Sequence, residues 1–285
     1  MDLCPARAPP PHTLTSRPQR LAQCDDERWA TLVGVLTDID DTLTREGTLD
    51  APAAAALAAL QAARVPVVAV TGRSLRWCRE VAATWPQADA FAALVAENGA
   101  TALRPVGTGW QTLYAQPHAV RRDHARRLRA CAAAVCREVP GAVLSRDSIG
   151  RETDIAIDHS EHAHLDEAGI ARVLAVMRAH GLHATVSSIH VNGWIGTHDK
   201  LSGARWMVRC LWGRDLDTEI DRWVYVGDST NDQVMFAAFP MSVGVANLRR
   251  FADRLQTWPA YIAEGERGAG FAEVARRLLA ARGAA

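Results

Sequence analysis

Four short apolar runs in this chain each stop abruptly at a polar cluster, and that recurrence restricts the possible folds most strongly. Leu32-Val33-Gly34-Val35-Leu36-Thr37 ends at Asp38-Ile39-Asp40-Asp41, and Val67-Val68-Ala69-Val70 ends at Thr71-Gly72-Arg73. A run over residues 92–96 ends at Glu97-Asn98-Gly99, and Trp223-Val224-Tyr225-Val226 ends at Gly227-Asp228-Ser229-Thr230-Asn231-Asp232. Apolar runs without polar alternation suit strands buried on both faces, as in parallel sheets. Helix-length segments at 51–63 and 74–84 separate the first three runs. The fold class expected is α/β: a doubly wound, mostly parallel Rossmann-like sheet with its polar clusters along one edge, where such sheets bind ligands.

The alternation breaks near residue 100. A hairpin is expected over 101–114, an Arg-rich helix over 120–139, a strand over 153–158, a helix over 166–180 and a strand over 184–191. The βα pattern resumes at Lys200 and closes with a strand at 242–245 and a helix at 271–281. The middle segment therefore reads as an α+β cap, 101–192, inserted in a core of 29–100 and 193–285. Residues 1–28, with five prolines and no apolar period, read as a disordered leader without the apolar stretch of a secretory signal.

Composition excludes several classes. The 285 residues carry 32 basic and 32 acidic side chains. That balance argues against a nucleic-acid partner or membrane surface held by bulk charge. No run of about 18 apolar residues is present, so no membrane-spanning helix is expected. The six cysteines form no C-x-x-C pair and read as reduced thiols of a cytoplasmic protein. Nothing in the sequence speaks to oligomeric state. Of the 32 basic residues, Lys200 is the only lysine. A lone lysine in so arginine-rich a chain points to a task that arginine's larger planar fork does not fit.

Asp38, Asp40, Asp228 and Asp232 would crowd one sheet edge. Two like charges about 4 Å apart repel by about 4 kcal/mol at an effective dielectric near 20, so the cluster calls for a cation. All-oxygen ligands suit Mg²⁺ rather than zinc. Such an ion recruits phosphate. Thr71 offers a hydroxyl to a phosphate, Gly72 a closely approaching N–H, Asn231 an amide and Lys200 a compact charge. Of the carboxylates Asp38 and Asp40, one can attack phosphorus while the other moves the proton of the leaving oxygen and then of water.

These four sites, in this order, resemble the motifs of the haloacid dehalogenase-like superfamily. D-x-D-x-[TV] is matched by Asp38-Ile39-Asp40-Asp41-Thr42. The strand ending in Thr or Ser is matched by 67–71, the lysine by Lys200, and G-D-x-x-[ND]-D by 227–232. An insert between the second and third motifs, with Thr71-Gly72-Arg73 and Glu97-Asn98-Gly99-Ala100, resembles the group with a type IIB cap. That group includes Cof-like and sucrose-phosphate phosphatases. The resemblance implies a phosphatase for a small phosphorylated metabolite, most plausibly a phosphosugar. It implies Asp38 as nucleophile, Asp40 as acid/base, and Mg²⁺ on Asp38, the Asp40 backbone carbonyl and Asp228, with Asp232 a ligand or an orienting group. A sugar phosphomutase or a non-catalytic phosphometabolite-binding regulator are the alternatives.

Outside the motifs, Arg73, Glu97, Asn98, His190 and Asn192 are expected as substrate contacts, against turn-forming or structural roles. Arg151, Glu152 and Asp154 could read sugar hydroxyls. The histidines of Asp158-His159-Ser160-Glu161-His162-Ala163-His164 read as a solvated loop rather than a metal site. Arg121, Arg122, Arg126, Arg127 and Arg129 read as a solvated cap face.

Overall fold

The structure, a computed structural model, describes residues 18–283. It begins with strand β1 (Gln19–Arg20) and helix α1 (Asp26–Thr31). Strand β2 (Gly34–Thr37) is followed by the small hairpin β3 (Thr44–Arg45) and β4 (Thr48–Leu49). Then come α2 (Ala51–Ala62), β5 (Val67–Val70), α3 (Leu75–Thr84), β6 (Phe91–Ala96), β7 (Thr101–Val106) and β8 (Gly109–Tyr114). The inserted segment holds α4 (His118–Glu138), β9 (Val143–Leu144), β10 (Asp154–Asp158), α5 (Glu167–Ala179), β11 (His183–Val186) and β12 (His190–Trp194). The chain closes with α6 (Lys200–Trp212), β13 (Trp223–Gly227), α7 (Gln233–Ala238), β14 (Met241–Gly244), β15 (Tyr261–Ile262) and α8 (Arg267–Ala281).

Nine strands form the core sheet in the order β1-β15-β14-β13-β2-β5-β6-β7-β8. It is parallel from β1 to β6 and antiparallel in β7 and β8. All residues of β2, β5 and β13 are buried, as their unbroken apolar runs require. Separate apolar layers cover the two faces. Leu57, Leu60, Phe271 and Leu278 lie in one, and Leu201, Met207, Phe236 and Phe239 in the other. The cap has its own four-stranded sheet, β11-β12-β10-β9, and its own core around Leu128, Val135, Ile157 and Val173.

The expected α/β architecture is present, and several boundaries differ. Residues 101–114 do not belong to the cap. They form β7 and β8, which extend the core sheet because β7 pairs antiparallel with β6. At the other end the cap runs through Trp194, since β12 pairs along its length with β10. The strand expected over 184–191 is a hairpin of β11 and β12. Ser187 turns the chain: its N–H donates to the His190 carbonyl at 2.8 Å, and its Oγ accepts from the His190 N–H at 3.0 Å. No Gly, Pro, Asn or Asp marks that turn.

The leader expectation fails for residues 18–28, while 1–17 lie outside the described residues. β1 adds to the sheet edge beside β15. Leu21, Cys24 and Trp29 are buried. Arg277 of α8 donates to the carbonyls of Leu21 and Cys24 and pairs with Asp26 at 2.7 Å. These partners lie some 250 residues away along the chain, which is why local periodicity did not reveal them.

Candidate active site

The ends of β2, β5, β6 and β13 bring the four polar clusters to one edge of the core sheet. Lys200 joins them from the first position of α6. Its helix starts cleanly because Asp199 accepts from the Ser202 N–H at 2.7 Å while Ser202 Oγ accepts from the Asp199 N–H. Gly99 and Gly203 let this helix approach the loop after β6. Gly99 has φ +105°, and a Cβ there would lie 2.3 Å from the Asp199 carbonyl oxygen.

The Lys200 ammonium lies 2.9 Å from Asp38 Oδ1 and 2.7 Å from Asp232 Oδ1, and is buried. Burial disfavours its charge, but Asp232 and Asp38 outweigh that and hold its pKa above the ordinary lysine value. Burial pushes the Asp38 carboxyl up to about 7 even against Lys200, with Asp232 and Asp40 adding repulsion. Burial and then the charges of Asp38 and Asp232 also raise Asp228 well above the usual carboxylate range.

The Asp232 carboxylate is fully engaged. Oδ1 accepts from Lys200 and the Tyr225 hydroxyl, and Oδ2 accepts from the N–H groups of Asp228 and Ser229 at 2.9 and 3.0 Å. Asp228 is different. Its Oδ2 accepts from Asn247 Nδ2 at 3.2 Å, while its Oδ1 is buried with no partner. Oxygens of Asp38, Asp228 and Asp232 lie within 4.8 Å of one another. An orphaned buried carboxylate oxygen beside other carboxylates is what a divalent cation satisfies, so Asp38 and Asp228 fit such an ion. Asp232 lies among them with both oxygens already spent on protein donors.

Asp40 points elsewhere. Arg73 Nε donates to both of its oxygens at 3.0 Å, and Nη2 adds a bond at 2.8 Å. The same guanidinium binds the cap carboxylate Glu161 at 3.1 and 2.6 Å. His190 stands behind Glu161, with Nε2 3.0 Å from Oε2. Burial works against the Glu161 charge, but His190 and Arg73 bring its pKa down to about 2. Arg73 thus ties the core loop at Asp40 to the cap. Above them opens a cavity of about 470 Å³, with Asp40, Asp41 and Arg73 below, Ser160, Glu161 and Ser188 of the cap above, and Arg250 and Arg267 at its side.

Around this cavity the expected site residues divide. Thr71 is buried. Its Oγ1 accepts from the Arg73 N–H at 3.1 Å, which leaves its own O–H to donate. Gly72 lies close to Asn98 and Asn192, whose Oδ1 atoms would stand 3.2 and 3.3 Å from an added Cβ. Asn231 Oδ1 accepts from Ser229 Oγ at 2.8 Å. Glu97, expected at the substrate, is spent internally. It accepts from the N–H of Leu75, from the N–H of Glu152 and from both the N–H and hydroxyl of Thr153. It therefore anchors the entry to β10 against the core. Asn192 donates to the Gly72 carbonyl at 3.2 Å, Asn98 donates to Asp154, and His190 is taken by Glu161. These residues wire core to cap and do not line the cavity. Arg151 shares that wiring, donating to the Gly72 carbonyl at 2.9 Å and pairing with Asp147 and Asp154.

Sequence reasoning missed Glu161, Ser188, Tyr225, Asn247, Arg250 and Arg267. Glu161 was hidden in a His-rich segment that reads as a surface loop. Tyr225 sits mid-strand, where an aromatic signals only packing. Asn247 donates to Asp228 and to the Asp41 carbonyl at 3.0 Å, from just beyond the strand expected at 242–245.

The family model of the haloacid dehalogenase-like hydrolases matches residues 35–125. No curated protein matches the chain. Among solved structures, a protein from Thermoplasma acidophilum is similar at 13% identity and TM-score 0.64, over 87% of this chain and 98% of that one. The sucrose-phosphatase of Synechocystis, solved with sucrose and phosphate, is similar at 16% identity and TM-score 0.61, over 87% of this chain and 98% of that one. A HAD/COF-like hydrolase from Plasmodium vivax is similar at 16% identity and TM-score 0.63, over 90% and 99%. At these identities the structural likeness is one of fold, and it agrees with the site and with the family match. Over residues 35–125 the chain matches the haloacid dehalogenase-like hydrolases, and over most of its length it has the fold of these solved neighbours.

Proposed function

We propose that the protein is a Mg²⁺-dependent phosphatase that hydrolyses a small phosphorylated metabolite, a phosphosugar, through an aspartyl-phosphate. The observation that carries the reading is the buried Lys200 ammonium bridging Asp38 and Asp232, next to the unpartnered Asp228 Oδ1. Asp38 is the nucleophile. Lys200 lies where it can neutralise a phosphate oxygen drawn to Asp38 while favouring the charged form of that carboxylate. Asp38 and Asp228, with the Asp40 backbone carbonyl, would hold the Mg²⁺, which when bound supplies positive charge to the phosphoryl group. Asp232 positions Lys200 rather than the ion, since its oxygens already have four protein donors.

Asp38 attacks phosphorus as the bond to the leaving oxygen breaks, and Asp40 gives that oxygen its proton. Water then attacks the aspartyl-phosphate, Asp40 takes its proton, and the Asp38–phosphorus bond breaks. Arg73 fixes the orientation of Asp40. Thr71 O–H and the Asn231 amide are donors for the remaining phosphate oxygens. The cavity over Asp40 supports a polyhydroxylated leaving group: its walls are almost all hydrogen-bonding side chains, with Ile189 the large apolar exception. The cysteines among the described residues are all unpaired, in keeping with a reducing, cytoplasmic setting. No helix among the described residues is long and apolar enough to cross a membrane.

The test is phosphate release from a panel of phosphosugars and an aryl phosphate, with Mg²⁺ or EDTA, for wild type and Asp38→Asn. Mg²⁺-dependent release that disappears in the variant is expected. A folded, Mg²⁺-binding wild type that releases no phosphate from any of them would overturn the reading.

A further inference from the structure

Beside the cavity over Asp40 lies a second one of about 430 Å³, and the two share a wall of Ser160, Ser188 and Arg250. Ser188, at the tip of the β11–β12 hairpin, is 8% exposed, and its Oγ is buried without a hydrogen-bond partner. Its carbonyl already accepts from Ser160 Oγ at 2.9 Å, while its hydroxyl is left over. A buried hydroxyl in that condition is costly unless a ligand atom meets it.

The charge on the adjoining wall points the same way. Arg250 and Arg254, four residues apart, both rest on the ring of Phe251, 5.8 and 5.0 Å from its centroid. Like charges at this spacing repel. No carboxylate lies within 4.0 Å of Arg254 among the described residues, and Arg250 reaches only Asp41, at 3.6 Å and half-exposed. His159, buried on the same wall, has its protonation disfavoured first by burial and further by His190 and Arg254. Two carboxylates, Asp166 and Glu167, also line this cavity. Asp166 is committed to capping α5, accepting from the Gly169 N–H at 2.7 Å. An exposed Arg254 without a carboxylate partner and an Arg250 held only at 3.6 Å, beside an orphaned hydroxyl and adjoining a leaving-group cavity, form a binding arrangement for an anion.

We infer that the leaving group carries a second anionic substituent, a carboxylate or a further phosphate, held by Arg250, Arg254 and Ser188 at the seam between the two cavities. The substrate is thereby a doubly anionic phosphosugar or phosphorylated sugar acid. This rests on the phosphatase reading above.

Phosphate release separates the two. kcat/KM is measured for two matched pairs, glucose 6-phosphate against 6-phosphogluconate and fructose 6-phosphate against fructose 1,6-bisphosphate, in wild type, Arg254→Gln and Arg250→Gln. The charged member of at least one pair should be preferred by about tenfold or more, the scale of one charge-assisted hydrogen bond. That preference should collapse toward one in Arg254→Gln and Arg250→Gln. Each protein is read by its own ratio, so a general loss of activity cancels. Preference within the first pair assigns a carboxylate, and within the second a phosphate. Release without preference in wild type, or a preference untouched in Arg254→Gln, would overturn the second-anion site and leave the phosphatase standing. No release from any of the four would overturn both.

Discussion

Replacing Asp228 by asparagine should make the metal-free protein more stable while destroying its response to metal. Asp38, Asp228 and Asp232 present oxygens no farther apart than 4.8 Å, and Lys200 is shared between Asp38 and Asp232. At an effective dielectric near 20, two unit charges at 4.8 Å repel by about 3 kcal/mol. Asp228 faces two such neighbours with no ion pair of its own, and burial, then the charges of Asp38 and Asp232, raise its pKa well above the usual carboxylate range. Asparagine keeps an oxygen for the Asn247 donor and removes the charge. In EDTA at pH 8, Asp228→Asn should therefore be more stable than wild type by about 1–3 kcal/mol, or roughly 3–10 °C in Tm. Mg²⁺ should raise the Tm of wild type by mass action and leave the variant unmoved. Calorimetry of both proteins in EDTA and in MgCl₂ gives all four numbers. A variant less stable than wild type in EDTA, or one still stabilised by Mg²⁺, would refute this account of the cluster.

Two further outcomes follow from buried side chains. Glu97→Gln should cost about 2–4 kcal/mol in chemical unfolding, because an amide N–H₂ must then face backbone donors that now meet a carboxylate. Burial, then Asp154, raises the Glu97 carboxyl from its ordinary 4.5 to about 7. The native state thus binds this proton more tightly than the unfolded chain, so wild type should lose stability as pH climbs from 4.5 to 7, and the variant should lose less; equal slopes would refute this. Lys200→Arg should lower kcat by about a hundredfold or more, since a planar guanidinium has no room between Asp38, Asp232 and Tyr225; kcat within twofold of wild type would show that only the charge matters.

The parts of this architecture that sequence made legible share one property: they are encoded locally. The unbroken apolar runs of β2, β5, β6 and β13, each closed by its polar cluster, marked the sheet and the edge where Asp38, Thr71 and Asp228 meet. The rarity of lysine singled out Lys200. What escaped depends on partners far away in sequence. The order of residues 18–28 is made by Arg277 and by β15. β7 and β8 are the exception, joined to the core sheet by β6, the strand immediately before them. Glu97 read as a substrate contact, and only the folded chain reveals the N–H groups of Leu75, Glu152 and Thr153 converging on it. Glu161 is the mirror case, a loop acid given its role by an arginine 88 residues earlier.

The strand order also bears on synthesis. β2, the first long strand made, lies between β5 and β13, and β1 finds its partner only at Tyr261–Ile262. The amino-terminal edge therefore has no place to dock until nearly the whole chain has left the ribosome. The cap sheet, by contrast, draws all its strands from residues 143–194 and packs against its own helices. Vectorial synthesis should thus complete the lid before the body it covers. Through that interval the nascent β2 strand, with its β13 side unpaired, is the segment on which a chaperone would find its holding site.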